Sequence, residues 1–294
     1  MASTKKAAYE KAAFARLGAR LLGSNNAPYK YGKTPPLVRS MTAMMAYSCI
    51  SRWTGALGVC AIIAVIRPAH AEPRAVVELF TSQGCSSCPP ADQIIGELAK
   101  DPSVIALSFP IDYWDYLGWK DTLADKRFSA RQKAYSQVRG DRNLYTPQVI
   151  VNGSKQVIGS DRASIEGAMM DTSKADAVMS VPVTMSLSGK LLNVSVAASK
   201  VPSAAAHGEV WICSVSKAIP IMIGRGENRG QEVTYYNVVR NLLKVGDWNG
   251  TPGSWTVPIE NISREGVDAA VVYVQHGSRE KPGAMLGAAY TALR

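Results

Sequence analysis

The stretch that most constrains this chain is Gly84-Cys85-Ser86-Ser87-Cys88-Pro89-Pro90, set between segments of opposite periodicity. Before it, Ala75-Val76-Val77-Glu78-Leu79-Phe80 is a near-continuous apolar run and reads as a buried strand. After it, Ile94, Ile95, Leu98 and Ala99 recur at helical spacing, so 91–100 reads as an amphipathic helix. Pro89 and Pro90 suit a first helical turn, where a missing N–H costs nothing. The cysteines therefore lie on a turn from strand into helix. The partial positive charge at a helix start favours thiolate over thiol. Cys85 is expected to be the attacking thiolate, and Cys88 the thiol that resolves a mixed disulfide.

Composition narrows the partners. The formal net charge of the 294 residues is +10. Residues 1–71 hold ten Lys/Arg and one acid, Glu10, which leaves 23 bases against 22 acids from Glu72 onward. The excess belongs to the leader, so no nucleic-acid face is expected on the folded part. In that leader Arg52 precedes an apolar run over 56–66, and Ala69-His70-Ala71 follows with the small-x-small pattern of a signal-peptidase site. This reads as a basic leader and secretory signal over 1–71, with cleavage after Ala71 and a periplasmic or secreted product. The apolar run is too short to span a bilayer comfortably, so no stable membrane span is expected after cleavage.

Cleavage would leave Cys85, Cys88 and Cys213. Three cysteines cannot form a fully paired framework in one chain. The assignment is a C-x-x-C pair plus a lone, buried Cys213. A structural zinc normally takes four ligands, and no second C-x-x-C is present, so no metal is expected. Nor is an organic cofactor, because the two sulfurs themselves carry the electrons.

Downstream, 104–109 reads as a second strand and 123–138 as a helix. A third strand is entered through Thr146-Pro147 and closed by Asn152-Gly153, with 155–158 as its hairpin partner and 161–170 as a last helix. Between them lies Asp112-Tyr113-Trp114-Asp115-Tyr116-Leu117-Gly118-Trp119. Asp112 is a candidate proton relay to Cys88, and Trp114 a candidate wall of a substrate groove. From 178 the character changes. Seven short strand-like runs, near 181–187, 191–198, 209–216, 233–243, 254–259, 269–275 and 285–290, are mostly punctuated by Gly, Pro, Asn or Ser. They predict an all-β, sandwich-like domain over 178–294.

The order strand, C-x-x-C, helix, strand, helix, Thr-Pro, strand, hairpin, helix resembles the thioredoxin fold over about 74–175. More specifically, the chain resembles the DUF1223 family of exported, thioredoxin-like proteins. The matching residues are those from Glu78 to Asp92, Asp112-Tyr113-Trp114-Asp115 with Gly118-Trp119, those from Gly224 to Gly230, and Asn237-Val238-Val239-Arg240. The resemblance implies a cis Pro147 facing the cysteine pair, with Thr146 completing a substrate platform. It also implies an α/β thioredoxin-like domain over 72–177. The chain departs from ordinary thioredoxins in carrying Gly84 before the pair and Ser86-Ser87 inside it.

The expectation is thus an exported thiol–disulfide oxidoreductase acting on protein or small thiol and disulfide substrates. The alternative is a non-enzymatic binding module in which Cys85–Cys88 is a structural disulfide. These readings differ in the ease of reduction, since a staple resists mild dithiols and an exchange pair opens.

Overall fold

A computed structural model describes residues 72–201 and 206–293. The leader, with its expected signal and cleavage site, lies outside the described residues. Eleven strands and three helices follow in chain order: β1 (Ala75–Thr81), α1 (Pro89–Leu98), β2 (Val104–Pro110), α2 (Lys126–Arg139), β3 (Gln148–Val151), β4 (Lys155–Ile158), α3 (Arg162–Thr172), β5 (Val183–Ser188), β6 (Leu191–Val196), β7 (Gly208–Met222), β8 (Glu232–Trp248), β9 (Gly253–Pro258), β10 (Ala269–Gly277) and β11 (Pro282–Ala292). Eight form one mixed sheet in the order β11-β10-β7-β8-β2-β1-β3-β4, and β5-β6-β9 form a second, antiparallel sheet. The protein is a mixed α/β fold with a large mixed sheet and an additional small one.

β1 is buried along its whole length, which explains why its sequence does not alternate. It runs parallel to β2, in the register Ala75↔Val104, and antiparallel to β3. Its side chains still alternate between two cores. Ala75, Val77 and Leu79 pack with Ala91 and Ile95 of α1 and Ile165 and Ala168 of α3. Val76 and Phe80 pack on the other face with Phe109 and with Phe128 and Tyr135 of α2. Asp125 caps α2 by accepting from the Arg127 N–H at 2.8 Å, and Gly140 ends it with φ +79°.

The strands expected after 178 all form, and the run expected near 233–243 lies inside the longer β8. Their assembly differs from a self-contained sandwich domain over 178–294. β5-β6-β9 do pack as a second layer, through Val183, Leu192, Val194 and Val257, against Val210 and Ile212 of β7 and Val272 of β10. However, β7, β8, β10 and β11 also extend the sheet of the N-terminal half, because β8 pairs with β2. The joint is narrow. One parallel pair, Ser108↔Val238, is flanked by Ser108 Oγ donating to the Tyr236 carbonyl at 2.8 Å and Asn237 Nδ2 donating to the Ala106 carbonyl at 2.9 Å. The opposite face of β7 and β10 presents Trp211, Cys213, Val271 and Tyr273 to the core under α2. The sheet, and one of its cores, therefore crosses the boundary drawn at 177/178.

Candidate functional site

Cys85 and Cys88 are disulfide-bonded, with Cα atoms 5.4 Å apart. The turn that carries them is built locally. The Cys85 N–H donates to the Ser82 carbonyl at 3.2 Å, and the Cys88 N–H to the Cys85 carbonyl at 3.1 Å. Cys88 is the residue before α1, and its carbonyl accepts from the Ala91 and Asp92 N–H groups at 2.8 and 3.1 Å. The proline pair occupies the first turn, as its missing donors allow. Ser86 and Ser87 are exposed at the tip, whereas Cys85 is 2% and Cys88 0% exposed.

Three further segments converge on this turn. The first is Thr146-Pro147, whose peptide bond is cis. Ser87 Oγ lies 3.5 Å from Cys85 Sγ and donates to the Thr146 carbonyl at 3.4 Å, which ties this step to the cysteine loop. The second segment, 111–125, brings the aromatics. Trp114 Nε1 donates to Thr146 Oγ1 at 2.8 Å, and Trp114 lies against Gly84, where an added Cβ would sit 3.1 Å from the Trp114 Cβ. Tyr116 stacks on Trp114 at 6.5 Å and is 78% exposed. Trp119 Nε1 donates to Gln83 Oε1 at 2.8 Å.

The third segment, 223–231, joins β7 to β8 and comes from the far side of the sequence. Buried Asn228 donates through Nδ2 to the Gln83 carbonyl at 3.0 Å and to the Cys85 carbonyl at 2.9 Å. The glycines of Gly224-Arg225-Gly226-Glu227-Asn228-Arg229-Gly230 have two physical roles. A Cβ at Gly224 would meet the Trp119 ring at 2.9 Å, and Gly226 and Gly230 adopt φ +82° and +80°.

Asp112 is tied to α2, where Ser129 Oγ donates to its carboxylate and its own N–H donates to Ser129 Oγ at 3.2 Å. The perturbed carboxylates near the cysteine turn are Asp121 and Asp92, which the sequence reading did not single out. Asp121 accepts from the Gln83 N–H and the Leu123 N–H, both at 2.8 Å. Burial pushes its carboxyl up to about 6 against those hydrogen bonds, and nearby Asp115 adds to the shift. Burial likewise holds Asp92 well above the usual carboxylate range. The signal for Asp92 was present in the helix phase. Ala91, Ile95 and Leu98 mark the inward face of α1, and Asp92 follows Cys88 by one turn.

The sign of the Asp121 effect gives a prediction. A carboxyl raised in the folded state stabilises the fold while it keeps its proton, and that contribution is lost as pH climbs from the unfolded value of about 3.9 through about 6. Between pH 4 and 6 the wild-type denaturation midpoint should therefore fall relative to that of Asp121→Asn. Parallel urea curves across that window would contradict the assignment.

Cys213 is buried in β7, and burial pushes its thiol up to about 12, so it is a poor nucleophile at neutral pH. Among the described residues, no group of three or more His, Cys, Asp or Glu side chains gathers where it could hold a metal ion. Among them, too, no helix is long and apolar enough to cross a membrane.

Residues 76–275 match the family model described as a protein of unknown function, DUF1223. The chain belongs to that family. This DUF1223 chain is similar to a crystal structure from Agrobacterium tumefaciens, at 30% identity over 76% of this chain and 95% of the other, with a TM-score of 0.67. It is also similar in fold to HBP35 of Porphyromonas gingivalis, at 13% identity over 76% of each chain, with a TM-score of 0.52. Among curated proteins, none matches it.

Proposed function

We propose that this DUF1223 protein is an exported thiol–disulfide oxidoreductase, with Cys85 as the attacking sulfur and Cys88 as the resolving one. The observation that carries the reading is the Cys85–Cys88 disulfide at the entry to α1, beside the cis Thr146–Pro147 step. Further support comes from the order β4-β3-β1-β2 with parallel β1 and β2, which is the thioredoxin arrangement. Thr146, Pro147 and Trp114 form the platform along which an extended protein or small thiol substrate would lie. Exchange proceeds by attack of a thiolate on one sulfur of a disulfide and release of the other, so it needs no metal or organic cofactor. Export follows from the leader ending Ala69-His70-Ala71, in keeping with an environment where disulfides persist.

Cysteine replacement tests the roles. Cys88→Ser should accumulate mixed disulfides with partner thiols in an oxidising compartment, at least tenfold above Cys85→Ser, because attack proceeds and release does not. A non-reducing gel reads the adducts. Equal trapping by both variants would exclude the assignment.

A second reading is favoured by one observation, the near-complete burial of both cysteines. In it the disulfide is a staple of a binding module. Millimolar dithiothreitol separates the two, since a staple stays closed at concentrations that open an exchange pair.

A further inference from the structure

The polar groups beneath the cysteine turn carry a further assignment. Asp92 lies one helical turn beyond Cys88, and its N–H donates to the Cys88 carbonyl at 3.1 Å. Side chains at that offset share a helix face, with Cβ atoms about 5–6 Å apart. Asp92 is 1% exposed. Neither of its carboxylate oxygens has a hydrogen-bond partner of ordinary geometry, and the Thr81 hydroxyl has none either. A buried carboxylate without donors is expensive to ionise, and such orphaned groups are few in native folds. The other polar groups facing Asp92 are Thr81 from β1, Asp121 from the 111–125 segment and Tyr235 from β8, and none of them is cationic. Burial raises the Asp92 carboxyl, the Thr81 hydroxyl opposes the rise, and Asp121 adds to it.

We propose that Asp92 exchanges the proton of Cys88 during disulfide making and breaking, an assignment that rests on the exchange chemistry proposed above. In a mixed disulfide between Cys85 and a partner, the Cys88 thiol passes its proton to the Asp92 carboxylate. The Cys88 sulfur attacks Cys85 Sγ, the Cys85–Cys88 bond forms, and the bond from Cys85 to the partner breaks. The partner leaves as a thiolate with the electron pair. The cysteine pair is oxidised and the partner sulfur reduced. Asp92 is left protonated, which is the form that an unpartnered buried carboxyl favours beside a closed disulfide. In the opposite direction a partner thiolate attacks Cys85, Cys88 departs as a thiolate, and the Asp92 proton returns to it.

The probe is dithiobis(nitrobenzoate), mixed with the reduced full chain in which Cys49 and Cys60 are replaced by Ser. The first coloured thiolate appears when one cysteine attacks, in a second-order step. The second appears when the other cysteine resolves, in a first-order step. Asp92→Asn should lower the ratio of the second rate to the first by about 10²-fold, the lower end of general acid–base effects. In the parent protein the first-order rate should rise through an inflection above the ordinary carboxylate value of about 4 and below the free-thiol value of about 8.5, and the variant should lack it. Because the Asp121 carboxyl is also raised, to about 6, the profile is repeated in Asp121→Asn, and the inflection must persist there if Asp92 is its source; this variant carries the test should Asp92→Asn fold poorly. A parent profile with only a thiol inflection, or an unchanged ratio in Asp92→Asn, overturns the role of Asp92 and leaves exchange standing. No second release from the parent overturns the exchange reading, and the Asp92 assignment with it.

Discussion

Arg131→Met should destabilise the protein by about 3–5 kcal/mol, the range for removing one partner of a buried ion pair. Arg131 Nε donates to Glu78 Oε1 at 2.9 Å, and the two side chains are 4% and 0% exposed. Arg131 Nη2 also donates to the Tyr135 hydroxyl at 2.8 Å and to Gln275 Oε1 at 2.9 Å. The guanidinium lies 5.0–5.8 Å from the ring centroids of Tyr135, Tyr273 and Phe109. Burial alone would disfavour its charge, but the Glu78 carboxylate, together with Tyr135 and Tyr273, outweighs that and holds the guanidinium above its usual range. Methionine fills much of the space and removes every one of these donors. Glu78 would then be a buried carboxylate held by the Tyr135 hydroxyl alone. The cost arises from that stranded charge, so the double variant Glu78→Leu/Arg131→Met should recover most of it. Urea unfolding of the two variants and the wild type measures both terms. A single-variant cost below about 1 kcal/mol, or a double variant no better than the single, would contradict this account.

The same network shows where sequence reasoning reaches and where it stops. A glutamate inside the run Ala75–Thr81 announces a buried charge in need of a partner, but nothing local names Arg131, 53 positions away. The turn of Cys85 and Cys88, the proline start of α1 and the Asn152-Gly153 hairpin were legible because each depends on neighbours in sequence. The C-terminal strands were legible one by one, from turn residues and β-branched runs. Their attachment to the first sheet was not, since it depends on the single β2–β8 pair at Ser108↔Val238 and on side-chain bonds from Ser108 and Asn237. The site was half legible for the same reason. Thr146, Pro147 and Trp114 do meet at the cysteine loop, through hydrogen bonds spanning 59 and 32 positions. Asp112 read as a proton relay in the sequence, but in the fold its carboxylate accepts from Ser129 of α2.

Asn228→Ala should cost about 2–4 kcal/mol and should speed reduction of the Cys85–Cys88 disulfide at least tenfold. One side-chain amide holds the 223–231 loop over the cysteine turn by donating to the Gln83 and Cys85 carbonyls at 3.0 and 2.9 Å. Alanine leaves both carbonyls without that donor, and each such loss in a buried place costs about 1–3 kcal/mol, less where water enters. The rest of the loop is poorly placed to compensate. It is pinned to itself, with the Gly230 N–H on the Ile223 carbonyl at 2.8 Å and the Ile223 N–H on the Gln231 carbonyl at 3.0 Å. Its contacts with the 111–125 segment are apolar: the Trp119 ring against Gly224, the Trp119 Cβ near Gly226, and Ile223 packed with Leu123. With Cys85 only 2% exposed, a dithiol gains the sulfur through local opening, and about 1.4 kcal/mol off the opening free energy speeds that route tenfold. Asn228→Asp should be worse for stability than Ala, because a carboxylate would face two carbonyl oxygens. The measurements are the rate of thiol appearance in dithiothreitol, followed by alkylation on a gel, together with a urea curve. If Asn228→Ala were destabilised by the expected amount yet reduced at the wild-type rate, access to Cys85 would be set elsewhere. The exposed tip at Ser86 and Ser87 would then be the route by which a partner thiolate reaches the disulfide.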